Sequence, residues 1–209
     1  MSFLRTLALA VAGIVFAAQA APLQAQTLER VKAAGKLHVC IWPDYYGITY
    51  RNPRTQQLGG IDIDLSAELA RELGVGLEYV ETSFPQLAAD VNGGRCDVAM
   101  FAVGILPARK EVLAFTEPYL QSDIYAVTTK GNKVVQRWED IDKPGVAVAV
   151  QAGTFMEPVM AERLKQATMV VVRPPATREQ EVESGRADVF MTDYPYSRRL
   201  LDNADWARL

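Results

Sequence analysis

The sequence predicts an α/β protein of two small lobes, each a mainly parallel sheet flanked by helices. Two observations predict it. The apolar pattern switches repeatedly between a strand period and a helix period, and the alternation breaks at Lys130-Gly131-Asn132-Lys133 and then restarts. The first lobe is therefore expected over 26–129 and the second over 130–209, with a leader over 1–25 ahead of both.

The leader reads MSFLRTLALAVAGIVFAAQAAPLQA: one early cation (Arg5), an apolar run from Leu7 to Ala17, and small residues at its end. That order is the pattern of a secretory signal peptide, and the run is too short to cross a bilayer. Ala18-Gln19-Ala20 and Leu23-Gln24-Ala25 each offer a cleavage site, and no cysteine follows the run to carry a lipid. The expected destination is the periplasm.

Beyond the leader, Leu37–Trp42 reads as a strand. Ile61–Leu73 reads as a helix with Ile61, Leu65, Leu69 and Leu73 on one face and Gly74 closing it. Leu77–Val80 is a strand, Ser83 caps a helix running to about Val91, Asp97–Phe101 is a strand, and a short helix follows Pro107. This βαβαβ order implies a ligand crevice at the strand C-termini. Asp123–Thr129 adds a strand. After the break come strand Val146–Val150, helix Phe155–Leu164, strand Met169–Val172, helix Arg178–Ser184, strand Val189–Thr192 and helix Tyr194–Leu201.

Net charge is −3, from 22 Lys and Arg against 25 Asp and Glu, with the signs interspersed. No basic stripe invites nucleic acid, so the expected partners are small molecules or proteins and the expected state is a monomer. The single histidine, His38, falls inside the first strand and reads as a packed residue. Without a Cys/His cluster or a phosphate-binding glycine motif, no cofactor and no metal are expected. Cys40 and Cys96 are open to two readings: buried thiols acting as small hydrophobes, or a disulfide formed in an oxidising compartment.

The runs Gly60-Ile61-Asp62-Ile63-Asp64-Leu65, Gly94-Arg95-Cys96-Asp97-Val98-Ala99, Pro107-Ala108-Arg109, Phe115-Thr116-Glu117-Pro118-Tyr119, Gln151-Ala152-Gly153-Thr154 and Thr192-Asp193 together resemble the periplasmic amino-acid-binding proteins. These are the type II solute-binding subunits of polar amino acid ABC importers. The resemblance covers essentially the whole chain after the leader. It implies the two-lobed periplasmic binding protein fold (type II), closing over a ligand and delivering it to an ABC permease. The chain stops at Leu209, a few dozen residues short of the family pattern, so a second hinge strand and last helix are expected to be missing.

The resemblance assigns roles by position. Arg109 would hold the ligand α-carboxylate, for which a planar guanidinium supplies two parallel donors. Thr154 would grip the same carboxylate from the other lobe, at a helix start. Asp193 would accept the α-ammonium, and it is also a natural helix N-cap. Phe84 and Tyr45 would wall the side-chain pocket. Trp42 stands where members that bind basic ligands carry an acid. Gly104 and Leu106 replace the hydroxyl residues usual in the family, leaving the Gly104 amide as donor. Tyr119, Tyr194 and Tyr196 read as structural. The pocket is expected to be dry and to suit an apolar or aromatic amino acid, or another carboxylate.

Ile141-Asp142-Lys143-Pro144-Gly145-Val146 and Thr82-Ser83-Phe84-Pro85 also resemble cyclohexadienyl dehydratases, enzymes on the same fold that act on prephenate or arogenate. In that reading Glu157 would be the acid that protonates a leaving hydroxyl. As a first-turn glutamate it is equally a helix-dipole partner. An extracytoplasmic sensor or accessory binding protein without a transporter is a third reading.

Overall fold

A computed structural model describes residues 23–209; most of the expected leader lies outside the described residues. Helix α1 (Leu23–Ala34) leads into β1 (Lys36–Ile41). Three short strands come next: β2 (Asp44–Tyr45), β3 (Thr49–Arg51) and β4 (Leu58–Gly59), an antiparallel meander absent from the sequence expectation. Then come α2 (Ile61–Leu73), β5 (Gly76–Glu81), α3 (Leu87–Asn92), β6 (Val98–Ala99) and α4 (Pro107–Lys110). In the first sheet β1 is central, with β5 and β6 parallel to it on either side.

Residues 111–124 then run without regular structure to β7 (Tyr125–Thr129). A 3-10 turn (Trp138–Asp140) precedes β8 (Ala147–Gln151), α5 (Met156–Arg163), β9 (Thr168–Val172), α6 (Arg178–Glu183), β10 (Val189–Thr192), α7 (Tyr194–Leu201) and β11 (Ala207–Arg208). The second sheet has the order β11-β7-β10-β8-β9. Strands β8, β9 and β10 are parallel, whereas β7 runs antiparallel to β10 in the register Phe190 to Val127. Strand β7 falls on the first-lobe side of the expected division at 129, yet it is hydrogen-bonded into the second sheet. The chain passes between the sheets ahead of it.

Two other expectations are corrected. Helix α2 buries Asp62, Ser66 and Ala70, while Ile61 and Leu65 are exposed. Leu69 and Leu73 pack at the side of the first-lobe core. The buried stripe is one residue round from the expected one, because Asp62 has partners that compensate for its burial. Ser83 caps nothing: residues 84–86 form a turn, and α3 starts at Leu87 after Gln86. Gly74 does close α2, in the left-handed conformation at φ 69°, with its amide on the last-turn carbonyls.

Each lobe has its own apolar core: Val31, Leu37, Val39 and Ile41 in the first, and Val146, Val148, Met160 and Met191 in the second. A further cluster spans the seam, placing Tyr45, Ile48, Phe84 and Phe101 against Val127, Ala149, Phe190 and Tyr196. Cys40 and Cys96 are joined in a disulfide with their Cα atoms 5.5 Å apart, tying β1 to the residues just before β6. His38 lies in β1 as expected, its Nδ1 3.2 Å from the Asp97 carboxylate.

Candidate ligand-binding site

Two pairs of parallel strands, one in each sheet, deliver side chains to one place. The C-terminal ends of β1 and β6 lead to Trp42 and to residues 101–104, and those of β8 and β10 lead to Gly153-Thr154 and Asp193. A cleft of about 1400 Å³ opens there, lined by Trp42, Tyr45 and Phe84 from the first lobe and by Thr154, Phe155 and Asp193 from the second. It extends from this point along the first lobe beside residues 112–123. Crevices at strand C-termini are the usual ligand position in open α/β sheets.

The first-lobe wall is aromatic. Trp42, Tyr45 and Phe84 meet at centroid separations of 5.5 to 6.1 Å, and Phe101 packs edge-on to Phe84 at 4.9 Å. Such tilted and edge contacts suit the ring quadrupoles. Gly104 faces Phe155: a Cβ there would lie 3.3 Å from the Phe155 Cβ. The second lobe thus fills the space where a side chain at 104 would stand.

Arg109, in the single turn α4, spans the seam. Its Nη1 donates to the Gly104 carbonyl at 2.8 Å and its Nη2 to the Gly153 carbonyl of the other lobe at 2.5 Å. The guanidinium carbon also lies 5.6 Å from the Phe84 ring centroid. Burial pulls its pKa below the ordinary value, though a guanidinium remains charged across the biological range. Among the described residues, no carboxylate lies within ion-pair distance of it. In this closed arrangement Arg109 stands behind the cleft wall rather than on it.

Asp193 is the N-cap of α7, its Oδ1 accepting from the Tyr196 amide at 2.9 Å. Its Oδ2 accepts from the Tyr45 hydroxyl at 2.5 Å, a second bond across the seam. Burial, and after it the neighbouring carboxylate, pushes the Tyr45 pKa well above its usual value, so the phenol stays a donor.

Thr154 does not stand at the helix start. Helix α5 begins at Met156, and both the Thr154 hydroxyl and its amide donate to the Gln151 carbonyl, at 2.7 and 3.2 Å. The anion-binding spot expected there is taken up locally. Glu157 accepts from the Gly153 amide at 2.6 Å and lies off the cleft wall. Gly153 is therefore held at both of its backbone groups, its carbonyl by Arg109 and its amide by Glu157.

One cleft residue escapes a reading of the sequence. Arg178, at the first position of α6, is buried and lines the cleft beside Asp193. Its guanidinium lies 4.7 Å from the Tyr196 ring centroid and 5.2 Å from that of Phe190, and it donates to the Met191 carbonyl at 2.8 Å. Glu179, Tyr196 and Asp193 raise its pKa against the effect of burial. An arginine at a helix start carries no local signal of burial; the two rings beneath it arrive from β10 and α7.

Residues 37–159 match the family described as bacterial extracellular solute-binding proteins, family 3. The chain belongs to that family. Among curated proteins it is 35% identical to cyclohexadienyl dehydratase of Pseudomonas aeruginosa, over 83% of this chain and 65% of that protein. It is 28% identical to a putative amino-acid ABC transporter-binding protein of Vibrio harveyi, over 88% of this chain and 69% of that one. The chain thus spans about two thirds of the length of these family members. Among solved structures, an ancestral amino acid-binding protein described as a precursor of cyclohexadienyl dehydratase superposes with a TM-score of 0.78 at 35% identity, covering 85% of this chain and 78% of that one. The family's two-lobed type II fold, expected from the motifs, is the fold observed.

Proposed function

We propose that this chain captures an amino acid or related small carboxylate between its lobes, in the periplasm, for delivery to an ABC permease. The observation that carries the reading is Arg109, a cation bonded across the seam that no described carboxylate neutralises, set behind the aromatic wall of a cleft whose other lobe supplies Asp193. Opening the lobes removes the Gly153 carbonyl from Nη2 and the Tyr45 hydroxyl from Asp193. One cation and one anion then face each other across a cleft, a charge pair that matches a zwitterion. Trp42, Tyr45 and Phe84 would cover an apolar or aromatic side chain, and Thr154 would add its hydroxyl only after turning away from Gln151. Because such a ligand touches both walls only when they approach, it favours the closed form by population shift.

A dehydratase reading is favoured by one observation, the 35% identity to the Pseudomonas enzyme. Glu157 lies off the cleft wall, and one of its oxygens is engaged by the Gly153 amide. As it stands it orients a peptide, and we assign it that role.

The test is a thermal-shift screen of the purified protein against the amino acids together with prephenate and arogenate, with aromatic product followed by absorbance. A ligand that binds the folded state raises the melting temperature by mass action. Stabilisation by an amino acid without turnover supports the binding role, and conversion of prephenate or arogenate overturns it.

A further inference from the structure

Asp62 is fully buried in the first turn of α2 and faces a loop rather than a cation. Its Oδ2 accepts from the Ala102 amide at 2.6 Å. Both of its oxygens accept from the Tyr119 hydroxyl, at 2.7 and 2.8 Å. Burial pushes the carboxyl pKa up, and these two donors pull it part of the way back. Nothing in the fold of α2 requires a carboxylate at this depth, and an unpaired one would be costly. Its partners therefore explain its presence.

Both partners matter for the cleft. Ala102 has φ 49°, in the left-handed region that a residue with a Cβ seldom adopts. It is two residues before Gly104, whose carbonyl receives Arg109. Tyr119 belongs to the connection between the sheets, residues 111–124, and its ring is half exposed, so the Asp62 carboxylate is its anchor. We propose that Asp62 is a positioning residue of the ligand site: it holds the 101–104 loop in the shape that seats Arg109, and ties that loop to the connection between the lobes. The inference rests on Arg109 being the ligand's carboxylate anchor.

The experiment compares Asp62→Asn, Tyr119→Phe and the double variant Asp62→Asn/Ala102→Gly by calorimetric titration with whichever amino acid or carboxylate stabilises the parent protein. Hydrogen exchange of each ligand-free protein is measured alongside. Asp62→Asn should weaken binding at least tenfold, and Tyr119→Phe, which disturbs only an exposed ring's hydroxyl, about threefold or more. Adding Ala102→Gly to Asp62→Asn should recover much of the loss, because glycine takes a positive φ without the steric penalty. Exchange should rise at the amides of 103–105 well before it rises in α2 and β1. If exchange rises equally in α2, β1 and the loop, or glycine gives no recovery, Asp62 is only a core brace and the inference fails. If no ligand binds the parent protein, it is the proposed function that falls, and loop-confined exchange still decides the positioning role.

Discussion

Truncating Arg109 to alanine would leave the Gly104 and Gly153 carbonyls without their donor and, under the proposed function, a bound carboxylate without its counter-charge. The expected loss of ligand affinity is about 2 to 5 kcal/mol, as for one partner removed from a buried charge pair. Isothermal titration would read it, and unchanged affinity would remove Arg109 from the site. The residue itself can be found from the Pro-x-Arg run after a strand, since a strand C-terminus in an α/β lobe points into the crevice. Its present partners cannot: the Gly153 carbonyl is 44 residues away and arrives only when the lobes meet. Asp193 is similar. Its capping role is local and readable from Thr-Asp ahead of a helix, whereas its bond to Tyr45 joins residues 148 apart.

At the scale of elements, the Cys40–Cys96 disulfide closes a separation of 56 residues around α2, β5 and α3. Replacing both cysteines with alanine should cost about 2 to 5 kcal/mol of stability, mostly through a freer unfolded chain. A reductant should then lower the melting temperature of the parent protein and leave the double variant unchanged. The turn at Trp138–Asp140 gives an acid-stability prediction. The Asp140 carboxyl is held down to about 2, first by the Lys143 ammonium and then by the Gln136 and Arg137 amides. A carboxyl lowered by folding contributes stability that is complete above its unfolded value, about 4, and is lost as pH falls through about 2. Asp140→Asn should therefore flatten the acid limb of the stability curve between about pH 4 and about pH 2, which urea titration at each pH would record. The bounds of α2, β10 and α7 are legible to the residue, because the breakers that end them are local signals. The β2–β4 meander is not, since strands of two or three residues are defined by pairing partners rather than by periodicity. The buried face of α2 is hidden too, because an aspartate counts as polar until its donors are known.

For the molecule as a whole, the closeness of the lobes is set by backbone. A Cβ on Gly153 would lie 2.9 Å from the Pro85 nitrogen and 3.0 Å from the Phe84 carbonyl carbon, and Gly153 itself has φ 73°. Gly153→Ala should consequently hold the lobes apart while each keeps its own core. Small-angle scattering should show a larger radius of gyration with unchanged circular dichroism, and an unchanged radius would mean that the seam yields. The same glycine bears on the proposed release of a ligand. Under the proposed function, the departure of a ligand would strip Arg109 of its counter-charge in a dry site, which is costly. The Gly153 carbonyl accepts from Arg109 in this structure, and under the same proposal it would stand in for the departing carboxylate. Unloading and reclosure would then be one exchange of acceptors on Arg109, and the emptied protein would return to a state in which the cation keeps two carbonyl acceptors although no described carboxylate neutralises it.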